Sequence, residues 1–159
     1  MIKYFKIVSL FVVLHLHAES IIIDGDLSEP EWEKAEVIDR FYEVSPYTLK
    51  ETDPSERTKA LIFSNKDGIY VGFKNFQNKG SMLSRKSMRD EMTSISEKNS
   101  INIDFDGDGS KAYIIAVSLA NSLFDAIKVQ SGGFKTDWDG DWLSLIHISE
   151  PTRRYAISY

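Results

Sequence analysis

N-S-I-N-I-D-F-D-G-D-G-S-K-A-Y-I-I-A-V, residues 99–117, carries two strand patterns with turn residues between them. Ile101, Ile103 and Phe105 alternate with Asn102 and Asp104, the two-residue period of a strand with one buried face. Asp106-Gly107-Asp108-Gly109-Ser110 is turn chemistry, because Gly takes positive φ freely and Asp hydrogen-bonds its own backbone. Residues 111–117, rich in Tyr, Ile and Val, make the returning strand. The expectation is a β-hairpin with three carboxylates, Asp104, Asp106 and Asp108, at its turn end.

Upstream, Ile21-Ile22-Ile23 is a short β-branched strand stopped by Asp24-Gly25-Asp26. Ser28-Glu29-Pro30-Glu31 has capping-box spacing with Pro in the first turn, and predicts a helix of about two turns through Trp32 and Ala35. Trp32 is expected to pin that helix to the core. Residues 37–44 read as an irregular strand, and 45–56 as a polar loop with two prolines. Residues 58–64 and 69–76 read as strands joined by the hairpin signal Asn65-Lys66-Asp67-Gly68. On the second of them Ile69, Val71 and Phe73 face one way, and Tyr70, Gly72 and Lys74 the other. Residues 78–98 are polar and charged, a surface excursion.

Downstream of the central hairpin, 123–129 is a further strand and Ser131-Gly132-Gly133 a turn, followed by F-K-T-D-W-D-G-D-W over 134–142. Strands at regular spacing with one short helix predict a mostly β protein. The specific expectation is an antiparallel β-sandwich, jelly-roll or immunoglobulin-like, with one short N-terminal helix.

The 159 residues suit one domain, with 42% hydrophobic and 27% charged residues. At the N-terminus Lys3 and Lys6 precede an apolar run over 7–16, and the small residues Ala18 and Ser20 follow. That is the layout of a signal peptide over 1–20, placing the protein in a periplasm, at an outer membrane or outside the cell. Without cysteine there is neither a lipid-anchored start nor a disulfide framework. No further run approaches the ~18 apolar residues of a membrane helix. Residues 21–142 hold 22 acidic and 15 basic side chains, a net charge of −7. Such a surface repels nucleic acid and anionic lipid and accepts neutral ligands such as sugars.

The other end reads differently. L-S-L-I-H-I-S-E-P-T-R, residues 143–153, is similar to the conceptual translation of a transposon-type sequencing adapter, and 154–159 fits read-through beyond it. The stretch 143–159 is therefore expected to be a non-native tail on a domain over 21–142 whose gene continues differently. Alternation over 145–148 is compatible with a short amphipathic strand, but the eleven-residue match outweighs it, and His147 and Tyr155 are set aside.

I-I-I-D-G-D-L-S-E-P-E-W at 21–32 resembles the opening of family-9-type carbohydrate-binding modules, whose usual form is I-D-G-x-L-D-E-x-x-W. D-G-I-Y-V-G-F-K at 67–74 resembles one of their strands, and E-K-N-S-I-N-I-D-F-D-G-D-G at 97–109 resembles another strand with its turn. The closing Y-I-I-A-V-S-L-A-N-S-L-F-D-A and D-W-D-G-D-W resemble a bacterial subgroup in which such a module precedes an outer-membrane-barrel-like region. The resemblance implies a polysaccharide- or oligosaccharide-binding module with structural calcium, linked to a downstream domain of the same chain and to polysaccharide breakdown by glycoside hydrolases. It also leaves a rival, a structural or gating domain of the barrel with no sugar ligand. Members that clamp a sugar carry a Trp just before the strand at 100–104, where this chain has Ile95-Ser96-Glu97.

Two sites follow. Asp104, Asp106 and Asp108 with Gly109 match the first half of a calcium loop, the candidate Ca2+ ligands, although the twelfth position is Ile115 where a bidentate Glu is required. Trp138 and Trp142, four apart with acids between them, are the candidate sugar platform; four residues apart on a strand they share a face. No catalytic set is legible. Glu97, Asp137, Asp139 and Asp141 supply carboxylates but single out no pair, and the histidines lie only in the leader and the tail.

Overall fold

The computed structural model describes residues 21–77, 82–91, 95–148 and 152–158. The leader expected over 1–20 lies outside the described residues. The chain is mostly β, and among the described residues all strand pairs are antiparallel. Its strands are β1 (Glu36–Ile38), β2 (Tyr42–Val44), β3 (Tyr47–Glu51), β4 (Thr58–Asn65), β5 (Gly68–Phe76), β6 (Lys98–Ile103), β7 (Lys111–Ser118), β8 (Leu123–Val129), β9 (Phe134–Lys135), β10 (Leu143–Ile148) and β11 (Thr152–Ser158). They form a five-stranded sheet in the order β1-β4-β5-β11-β10, a four-stranded sheet β6-β7-β8-β9, and the separate hairpin β2-β3.

The central hairpin forms as its alternation predicts, with Ile101 opposite Ile115 and Ile103 opposite Tyr113. Pairing stops there, so Phe105 lies in the turn, 49% exposed, its ring edge-on to Tyr113 at 5.3 Å. It extends the apolar alternation in sequence without joining the buried face. The β4–β5 turn also follows its chemistry, for Asn65 Oδ1 accepts from the amides of Asp67 (2.8 Å) and Gly68 (3.1 Å).

Both faces of β5 are covered. Val71 and Phe73 join Ala60, Ile115, Val117, Leu119 and Trp142 in one buried cluster drawn from both large sheets. On the opposite face Tyr70 belongs to a second cluster around Leu27 and Trp32. Gly72 is required at the centre of that face: a Cβ there would stand 2.8 Å from Leu27 Cδ2 and 3.1 Å from Trp32 Cζ3. Trp32 is buried as expected, edge-on to Phe63 at 5.0 Å.

The element carrying Trp32 is shorter than predicted, a 3₁₀ turn over Pro30–Lys34 with no side-chain cap. Ser28 does not cap it; Glu29 precedes the turn, and Ala35 is already extended while its amide bonds Trp32 O. Burial of Trp32 needs one turn only, and propagation beyond it has no apolar stripe to bury.

The strand expected over 37–44 divides into β1 and β2, which join different sheets, and the loop expected over 45–56 contains β3. The 143–159 stretch that the sequence sets apart supplies β10 and β11, and β11 pairs with β5 from Thr152 opposite Phe76 to Ser158 opposite Tyr70. Among the described residues no helix is long and apolar enough to cross a membrane.

Candidate functional site

The two tryptophans proposed as a platform lie in different surroundings. Residues 138–142 are irregular backbone rather than strand, so the shared-face rule does not govern them. Trp142 is 8% exposed inside the main cluster and donates from Nε1 to Asp125 Oδ2 at 3.2 Å, leaving no ring face for a ligand. Trp138 is half-buried beside it and meets Tyr113 edge-on at 5.1 Å. Gly140 passes between the rings, where a Cβ would stand 2.7 Å from Trp138 Cη2 and 3.2 Å from Trp142 Cδ1.

What holds this segment is Asp125, fully buried on β8 opposite Ile115. Its Oδ1 accepts from Arg89 at 2.8 Å and its Oδ2 from the Gly140 amide at 2.7 Å, besides Trp142. Arg89 also pairs with Asp139, and Asp90 accepts the Asp125 amide at 3.1 Å. The charged run 85–91 is thus fastened to the β8 strand through Arg89 and Asp90. A lone acid within the apolar run L-F-D-A-I was the available signal, since a buried carboxylate requires partners.

Burial raises the Asp90 carboxyl above its ordinary 3.8, the nearby Asp125 charge adds to the rise, and the Asp125 amide and Arg89 oppose it. A raised folded-state value means that the charged form is the one folding disfavours. The penalty is therefore absent well below pH 3.8 and grows as pH rises through the folded value. Asp90 also sits at φ +63°, a region Asn tolerates as well as Asp does. Asp90→Asn keeps the acceptor for Asp125 and removes the charge. It is expected to raise Tm at pH 7 and to leave it unchanged near pH 3, as thermal melts at the two pH values will read.

In the acidic turn, Asp104 Oδ1 accepts from the amides of Asp106 (3.1 Å) and Gly107 (2.9 Å), and its Oδ2 from Gly109 (2.7 Å). Gly109, at φ +73°, supplies the left-handed residue this closure needs. Asp108 accepts from the Ser110 amide at 2.8 Å, and bonding to Ser110 holds its carboxyl below the usual range. Asp106 pairs with Lys111 Nζ at 3.0 Å and raises the lysine's pKa. These residues do not fit a calcium ion as they stand. The backbone amides and Lys111 engage the carboxylates, and among the described residues no group of three or more Asp, Glu or His side chains is close enough to share a metal.

A different arrangement has the chemistry of a ligand site. A cleft of about 310 Å³ opens where β4, β5 and β6 meet, lined by Thr58, Asn75, Gln77, Glu97, Lys98 and Asn99, with Glu56 and Phe76 beside them. Thr58 and Asn75 are cross-strand partners, and the Thr58 hydroxyl donates to Asn75 Oδ1 at 2.8 Å. Gln77 Nε2 donates to Glu97 Oε1 at 2.9 Å, which closes the base of the excursion that leaves β5 at Gln77 and returns at Glu97. Asn99 Nδ2 is buried here with no acceptor among the described residues. The Arg57 guanidinium lies 4.9 Å above the Phe76 ring. Apart from Glu97, the sequence does not mark this set, because its members come from three separate stretches and none is unusual in its own.

Comparison of the chain with protein-family models, with curated proteins and with solved structures gives no match.

Proposed function

We propose that this chain is an exported carbohydrate-binding domain of the family-9 type, its two large sheets forming a β-sandwich, and that its glycan seats in the cleft at the β5–β6 junction. The observation that carries the reading is the cleft's lining: side-chain amides, carboxylates, a hydroxyl and an ammonium converge around a space within the ~300–1,000 Å³ of small-ligand sites. Neutral sugars present hydroxyls that both donate and accept, and this mixture answers both, including the buried Asn99 donor. Trp138, half-buried but not sealed in, is the tryptophan of the pair that retains surface for a sugar. The domain's role is to hold a linked hydrolase on its polysaccharide, with no catalysis of its own.

Isothermal titration with xylo- and cello-oligosaccharides tests the reading. Gln77→Ala and Asn99→Ala are each expected to weaken binding by about tenfold, the loss of one hydrogen bond to a desolvated partner. Chelation of Ca2+ is expected to leave binding and Tm unchanged, because the acidic turn closes on its own amides and Lys111. Absence of heat with every glycan, at concentrations up to millimolar, rejects the reading.

The second reading, a structural or gating domain beside a membrane barrel, draws on one observation. The β2–β3 hairpin leaves Tyr42, Val44 and Tyr47 exposed. Retention on an outer-membrane fraction that is lost in Tyr47→Lys, without glycan binding, would favour it.

A further inference from the structure

Next to the sugar cleft lies a second one, of about 340 Å³, and its charge is out of keeping with the rest of the molecule. Arg40, Arg57 and Lys59 line it together with Asp39 and Glu51, three cations against two carboxylates on a domain whose net charge is −7. Arg57, the extended residue just before β4, and Lys59, the second residue of β4, are two apart on extended backbone and so take the same side. Arg40 follows β1, the strand that pairs with β4. Among the described residues none of the three cations reaches a carboxylate within 4 Å, whereas Lys66, Arg89 and Lys111 are all ion-paired. The two clefts meet at Arg57, which lines the second while its guanidinium lies over Phe76 of the first.

We propose that this second cleft takes the carboxylate of a uronic-acid unit, so that the ligand spanning both clefts is an acidic polysaccharide. The inference rests on the carbohydrate reading above and names the class of glycan. A planar guanidinium held over a ring is pre-oriented for a two-point contact with a carboxylate, and Arg40 and Lys59 add charge. Asp39 and Glu51 accept from the sugar's hydroxyls and disfavour an ion that offers none. Long-range attraction does not assist an anion approaching this acidic domain, so recognition has to come from these three residues at contact distance.

The full chain is titrated with a neutral xylo-oligosaccharide, with the same backbone carrying one glucuronic-acid branch, and with inorganic phosphate. The branched acidic ligand is expected to bind about fivefold to tenfold more tightly than the neutral one at low salt, in line with two partly exposed ion pairs. The preference should vanish in 0.5 M NaCl, by roughly the screening expected there. It should fall to about twofold in Arg40→Gln/Lys59→Gln, where Arg57 alone remains, and vanish when Arg57→Gln is added, with the neutral ligand's affinity unchanged in the double variant. Equal affinity of the wild-type chain for the two glycans overturns the proposal while leaving the carbohydrate reading intact. Displacement of the acidic glycan by equimolar phosphate overturns it as well, by showing a general anion site. Binding of neither glycan overturns the carbohydrate reading and this proposal with it.

Discussion

Asp125→Ala is expected to destabilise the domain by about 4 kcal/mol, a large share of the ~5–15 kcal/mol that holds a domain together. The substitution removes one fully buried carboxylate and strands three donors. The Gly140 amide and the Trp142 indole N–H lose their acceptor at Oδ2, and Arg89 loses its partner at Oδ1. A buried donor left without an acceptor costs about 1–3 kcal/mol, more than the bond itself contributes. Arg89, with 42% of its side chain exposed, recovers part of its loss from water and from Asp139.

Asp125→Asn discriminates the causes. It keeps one acceptor at nearly the same volume and gives up the ion pair, so a loss of roughly half that of the alanine variant is expected. Urea denaturation of the three proteins reads both numbers. An alanine variant within 1 kcal/mol of the parent would mean that this network does not hold the 138–142 segment. The same substitution should also alter the near-ultraviolet dichroism of Trp142, whose ring is positioned by that bond.

Removal of residues 143–159 is expected to abolish the cooperative unfolding transition and to produce self-association. β11 covers one edge of β5 through seven paired positions, as β4 covers the other through eight. Without β11, β5 changes from an interior strand to an edge, with the backbone groups of Tyr70–Phe76 unpaired on that side. At about 1 kcal/mol for each backbone bond not remade, the loss approaches the whole stability of a domain. An open edge of that length beside Val71 and Phe73 also invites pairing with a second copy. Size-exclusion chromatography with light scattering and a thermal melt decide the matter. A monomeric truncated chain with the parent's Tm would reject the expectation and accord with the reading of 143–159 as an appended stretch.

Local chemistry determined much of this molecule. The turn at 65–68 follows from Asn65, whose side chain bonds its own backbone, and forms as the sequence states; the acidic turn, read at 106–110, starts two residues earlier because Asp104 closes it. Strands β4 to β8 lie within a residue or two of their alternating patterns, because a period of two is a property of neighbours along the chain. Trp32 was legible as an anchor for the same reason, being the one large aromatic on a short turn. The β2–β3 hairpin was not, because its strands are short, wholly exposed and set among polar residues and prolines.

Tertiary structure alone decided the rest. Nothing in D-W-D-G-D-W says that Trp142 is sealed inside while Trp138 keeps an edge to solvent; that depends on Asp125, seventeen residues away from Trp142, as an acceptor. Nor does the charged run 85–91 announce that Arg89 reaches across to the same carboxylate. The β5–β6 cleft draws on Glu56 and Thr58, on 75–77 and on 97–99, which converge only when two sheets and the base of a long excursion are in place. Strand period and turn type are written by residues within a few positions of each other. Burial, charge pairing and cleft geometry depend on which distant strands meet, and that is settled by packing both faces of β5 at once.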